Sequence, residues 1–163
     1  MASRRRDGAF LGGDGTFVAL NGLSHCVHAV RHRSIPLLNR ALVLVAEDEP
    51  FIALDVALAI EDAGGVVAGP AASVMEALAL IETLPIVAAI LDVNLADGDI
   101  SPVAERLINA GIPIIVQTGI GLPSKLAERF PDLKACIKPC AAAVLVVELE
   151  KLIVSRRTAN GAG

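Results

Sequence analysis

Tryptophan and tyrosine are absent, and aromatic residues make up only 2% of a chain in which 54% of residues are hydrophobic. A core without rings must be filled by Leu, Ile, Val and Ala, the usual packing between a parallel sheet and its covering helices. Long apolar runs are also missing. No segment approaches the roughly 18 unbroken apolar residues that a membrane span needs, so no membrane association is expected. Cysteine is scarce: Cys26, Cys136 and Cys140 form an odd set without framework spacing, which suits a reducing compartment better than a secreted disulfide scaffold. A cytoplasmic location is expected.

A basic surplus is lacking where it would matter. Six arginines stand against Asp7 and Asp14 within residues 1–40, whereas residues 41–163 carry eight Lys or Arg against sixteen acids. An acidic body with a basic arm is not expected to bind nucleic acid, because phosphate backbones demand a concentrated positive face. Arg4-Arg5-Arg6 followed by Phe10-Leu11 resembles a twin-arginine export signal, but Gly12-Gly13-Asp14-Gly15 interrupts the required apolar region. His25, Cys26, His28 and His32 have no second ligand cluster at metal-finger spacing. Residues 1–40 show no sustained period and are read as a disordered or wrongly included N-terminal extension.

The 163 residues suit one domain of ordinary size. From residue 41 a regular alternation begins. An apolar run at 41–46 reads as a buried strand, and Pro50 opens an amphipathic helix that stops at Gly64-Gly65. A short strand at 66–68 precedes a helix through Glu82, capped by Ser73 with a capping box to Glu76. Strands are expected at 86–91, 112–117 and 134–137, with helices at 102–110, 122–129 and 141–154. Such alternation predicts an α/β fold: a doubly wound, five-stranded parallel sheet with helices on both faces. The folded domain is expected over 41–155, followed by a short tail at 156–163.

Doubly wound sheets bind ligands at the carboxyl ends of their strands. Those ends carry Glu47 and Asp48 after the first strand, Asp92 after the third, Thr118 after the fourth and Lys138 after the fifth. Three converging carboxylates repel one another, so a divalent cation is expected among them. Oxygen ligation favours Mg²⁺ or Mn²⁺ over zinc. An ammonium and a hydroxyl in the same pocket suit a phosphoryl group, with Asp92 as nucleophile.

The segments Val45-Ala46-Glu47-Asp48-Glu49-Pro50, Ile90-Leu91-Asp92-Val93-Asn94-Leu95, Thr118-Gly119 and Lys138-Pro139, in that order, resemble the response-regulator receiver domain over residues 41 to about 154. The resemblance implies that Asp92 is the phosphoacceptor, that Asp48 ligates the metal directly and Glu47 acts through water, and that the main-chain carbonyl of Asn94 is a further ligand. It makes Thr118 the switch hydroxyl and Lys138 the pocket lysine, and it implies the flavodoxin-like strand order 2-1-3-4-5. It also implies a histidine kinase or histidine phosphotransfer protein as donor and a protein as downstream partner. Residues 113–121 are similar to the Pro-Phe-x-Phe-Ala-Thr-Gly-Tyr-Gly segment of a single-domain alphaproteobacterial subgroup, with Ile114, Val116 and Ile120 in place of aromatics.

The family's switch aromatic, three residues before the pocket lysine, is Ala135. Readout is therefore expected through the segment 119–130, where Gly121, Pro123 and Pro131 oppose a long helix. Only eight residues follow Ser155, so no output domain is expected, and the only chemistry expected is self-catalysed phosphotransfer to Asp92 and its dephosphorylation. Two alternatives stand beside this reading. A haloacid dehalogenase-type phosphatase would place its nucleophile after the first strand with an Asp two residues on, where this chain has Glu47-Asp48 and Asn94. A degenerate receiver would act by protein binding alone. Cys136 and Cys140, on a strand and at a helix start, are expected to pack independently.

Overall fold

A computed structural model describes residues 38–160. The N-terminal extension expected over residues 1–40, with its arginine run and its Cys/His stretch, lies outside these residues up to position 37. Five strands, β1 (Leu42–Ala46), β2 (Val66–Ala71), β3 (Ala88–Asp92), β6 (Ile114–Thr118) and β7 (Lys134–Ile137), form one sheet in the order β2-β1-β3-β6-β7. Every neighbouring pair in it is parallel. Five helices alternate with them: α1 (Pro50–Asp62), α2 (Val74–Thr83), α3 (Ser101–Asn109), α4 (Ser124–Arg129) and α5 (Ala142–Asn160). A two-residue antiparallel ribbon, β4 (Asn94–Leu95) with β5 (Gly98–Asp99), projects after β3. The doubly wound sheet inferred from the alternation is therefore present.

Strand side chains point to opposite faces in turn, and the apolar runs divide accordingly. Leu44, Ala46, Ala89, Leu91 and Val116 face α2, α3 and α4 in one buried cluster with Ala77, Leu107 and Leu126. Val43, Val45, Ala88, Ile90 and Ile115 face α1 and α5 in a second, with Val56, Ile60, Leu145 and Leu149. Aliphatic residues fill both layers, and no aromatic side chain is buried among the described residues.

Local chemistry sets the helix ends. Pro50 opens α1, where its missing N–H has no partner to lose. Gly64, at φ 77°, takes the left-handed conformation that ends α1. Ser73 Oγ accepts from Glu76 N at 3.1 Å, as a cap should. The Glu76 carboxylate accepts from Ala72 N at 2.8 Å rather than from Ser73 N, so the expected box closes one residue earlier. Asp97, in the turn between β4 and β5, supplies a second cap by accepting from Val74 N at 2.6 Å and Met75 N at 3.2 Å. These bonds hold the Asp97 carboxyl below its ordinary value.

Three boundaries differ from expectation by three residues or more, the first being β2, which runs on to Ala71 instead of ending at 68. The body extends back to Leu38, which is 2% exposed, packs with Ile60 and Leu149, and donates from its N–H to Ala63 O at 3.0 Å. The last helix continues to Asn160 instead of ending near 154. No described helix is long and apolar enough to cross a membrane.

Candidate functional site

Register brings the strand ends level. Ala46 pairs with Leu91, Asp92 with Gln117 and Thr118 with Ile137. Glu47 therefore leaves β1, Asp92 ends β3 and Lys138 leaves β7 at one edge of the sheet.

The carboxylates of Glu47, Asp48 and Asp92 offer oxygens within 4.8 Å of one another. Lys138 Nζ lies 2.9 Å from Glu47 Oε2 and 3.1 Å from Asp92 Oδ1. Lys138 is the one cation paired with this trio among the described residues. Glu47 is buried at 5% exposure, Asp92 is half-buried and Asp48 is exposed. Burial pushes the Glu47 carboxyl up, and the Asp92 charge adds to this against the hydrogen bonds from Lys138 and Glu49 N. Burial works against the Lys138 ammonium too, yet its bonds to Glu47 and Asp92 prevail and hold it above its ordinary value.

Three carboxylates and one ammonium leave the pocket two charges negative, and all its ligand atoms are oxygens. That donor set fits a hard divalent cation such as Mg²⁺. Asp48, exposed beside the buried pair, and Asp92 are placed to bind it directly. Glu47 holds Lys138 through Oε2 and receives Glu49 N on Oε1 at 3.1 Å, which suits a part played from behind the first ligands. Asn94 opens the β4–β5 ribbon two residues after Asp92.

Thr118 is buried at 1% exposure, but its hydroxyl is not turned to Asp92. Oγ1 donates to Gly121 O at 2.6 Å and accepts from Gly121 N at 2.9 Å and Ile120 N at 3.3 Å. Its main chain is joined to the pocket, since Lys138 N donates to Thr118 O at 2.8 Å. Asp92 Oδ1 accepts from its neighbour Val93 N at 2.9 Å. Among the described residues its second oxygen, Oδ2, has no hydrogen-bond donor.

Cys136 and Cys140 correct the expectation that they pack separately: their sulfurs are joined in a disulfide, with Cα atoms 6.5 Å apart. The turn through Lys138-Pro139 folds the chain back on itself, which four residues of sequence do not reveal. The Asp97 cap also escaped the sequence reading, because Asp97 lies 23 residues from the helix N–H that it accepts from.

No protein-family model matches the chain, and no curated protein sequence matches it. Solved structures do. The response regulator PhyR from Brucella abortus superposes with a TM-score of 0.60 at 28% identity, over 78% of this chain and 54% of that one. The chain thus spans about half the length of the PhyR structures it matches. A response regulator receiver protein from Sinorhizobium medicae gives a TM-score of 0.63 at 26% identity, over 73% of this chain and 98% of that one. SdrG from Sphingomonas melonis is 34% identical, with a TM-score of 0.59 over 70% of this chain and 96% of that one. The parallel sheet, in the order already described, agrees with these matches in fold, and the chain belongs to the response-regulator receiver superfamily.

Proposed function

We propose that the chain accepts a phosphoryl group on Asp92 from the phosphohistidine of a histidine kinase or phosphotransfer protein, and passes its state to a protein partner. The observation that carries this is the placement of Lys138 Nζ at 3.1 Å from Asp92 Oδ1 within a carboxylate trio. Asp92 Oδ2, the oxygen without a donor, attacks phosphorus; the new O–P bond forms as the N–P bond breaks and the imidazole leaves. Bound Mg²⁺, held by Asp48, Asp92 and the Asn94 carbonyl, would offset charge on the phosphoryl oxygens. Lys138 pairs with a further oxygen, a contact that strengthens as charge develops. The domain promotes this transfer to itself and its hydrolysis, and turns over no other substrate.

Readout starts at Thr118. To donate to a phosphoryl oxygen, its hydroxyl must give up the Gly121 carbonyl, which releases the turn 119–121. Ile120 sits in that turn at 98% exposure, so a partner reading the turn finds an apolar side chain there. Position 135 is an exposed alanine, and this route needs no aromatic. Phe51, 85% exposed near the start of α1 beside the pocket, offers the donor protein an apolar contact. The 113–121 segment supports a place in the single-domain subgroup, and a cytoplasmic site of action follows from the phosphohistidine donor.

Incubation with acetyl phosphate and Mg²⁺ tests the proposal. Wild type should gain one phosphoryl group and Asp92→Ala none; equal labelling of both proteins would overturn it.

A further inference from the structure

Two of the three cysteines flank the pocket lysine at positions 136 and 140. Cys136 lies on β7, paired with Gln117 of β6, and Cys140 lies two residues before α5. Their Cα separation of 6.5 Å falls within the range a disulfide spans without moving the backbone, roughly 4.4–6.8 Å. The bridge closes residues 136–140, and Lys138 is the middle residue of that loop.

A loop this short removes little freedom from an unfolded chain, so such a bridge is a weak global staple. Its effect is local: it ties the end of β7 to the approach to α5 across the residue that touches Asp92 and Glu47. Both cysteines are half-buried, and Cys140 lines an open cavity of about 560 Å³ together with Lys138, Gln117, Phe51 and Asp55. A small oxidant or reductant can therefore reach it. In a reducing compartment a disulfide of this kind is transient and senses redox state.

We propose that Cys136 and Cys140 are a reversible dithiol–disulfide site, and that its oxidation holds the Lys138 turn in the position that supports phosphoryl uptake. This regulatory step rests on the assignment of Asp92 as phosphoacceptor. A hydroperoxide is the oxidant class. The Cys140 sulfur attacks a peroxide oxygen, the O–O bond breaks, one water or alcohol leaves and a sulfenic acid remains. The Cys136 sulfur then displaces the hydroxyl of that acid, the S–S bond forms and a second water leaves. The two thiols lose two electrons and two protons; the peroxide gains both.

With the bridge closed, Lys138 Nζ rests 3.1 Å from Asp92 Oδ1. With it open, one backbone hydrogen bond, from Lys138 N to Thr118 O at 2.8 Å, ties Lys138 itself to β6. A side chain held in place before reaction speeds it more than one that must be collected.

The test uses the full chain carrying Cys26→Ser, so that only one pairing is open. Protein treated with hydrogen peroxide should lose two hydrogens, yield a peptide linking 136 to 140, and return to the dithiol with dithiothreitol. Its initial uptake from acetyl phosphate should be about threefold faster than that of the reduced form. Cys136→Ser/Cys140→Ser, also in the Cys26→Ser background, should show the slower rate with or without peroxide. No 136–140 linkage, or equal rates in linked and reduced protein, overturns the proposal. Linkage with no uptake in either form overturns the Asp92 assignment instead, and the regulatory half with it.

Discussion

Replacing Lys138 with Met exposes how the pocket is held together. Lys138 is the partner of two carboxylates, one of them buried. Breaking such a pair by removing one member typically costs about 3–5 kcal/mol, because a buried charge is left uncompensated. Here the loss has a ceiling. Glu47 can escape by taking a proton, and moving a carboxyl from its ordinary value of 4.5 to protonation at about pH 7 costs about 3.4 kcal/mol at 1.36 kcal/mol per unit. Glu47 already stands above that value in the intact protein, so part of this cost is already incurred. Urea denaturation in EDTA at about pH 7 should show Lys138→Met less stable by about 2–3 kcal/mol. Lys138→Met/Glu47→Gln should recover most of the loss, since the stranded charge is gone.

The pH dependence has a definite sign. A carboxyl whose folded value is raised stabilises the fold on protonation as pH falls, so the Lys138→Met deficit must shrink in acid. At about pH 5 the same ceiling is about 0.7 kcal/mol. A deficit unchanged between the two pH values, or a double variant as unstable as the single one, would refute the reasoning.

Other outcomes follow from the same geometry. Lys138 has a raised folded value, so its contribution is complete below 10.5 and is lost as pH rises through that folded value; the stability gap between wild type and Lys138→Met should close in urea titrations above 10.5. Ser73→Ala should cost about 1 kcal/mol through the lost cap on α2, measured by chemical denaturation. Removing residues 1–40 should destabilise the protein by about 3 kcal/mol more than removing residues 1–37, because the longer deletion takes Leu38 from the core; equal midpoints would contradict this.

The alternation of apolar runs with helical segments made the five-stranded sheet legible, and the rule that ligands sit at strand ends made Glu47, Asp48, Asp92 and Lys138 legible as a group. The ribbon at 94–99 was not legible, since two-residue strands carry no period. Leu38 was missed because one apolar residue ahead of a strand gives no pattern, and only the fold back onto Ala63 and Gly64 buries it. The C-terminal helix was cut short at 154 although Ser155 to Asn160 remain helical, because polar side chains on an exposed last turn look like a tail. Thr118 was placed at the right strand end, but its bond to Gly121 depends on a turn conformation that sequence does not carry. The Cys136–Cys140 pairing depended in the same way on the path of a turn.

The claim that Asp92 receives the phosphoryl group is tested most directly by trapping. After incubation with acetyl phosphate and Mg²⁺, borohydride reduces an aspartyl phosphate to homoserine, and tandem mass spectrometry reads which residue has changed. The account predicts homoserine at position 92 and nowhere else in wild type, with none in Asp92→Ala. Conversion at Asp48 or Asp55, or no conversion anywhere, would contradict it.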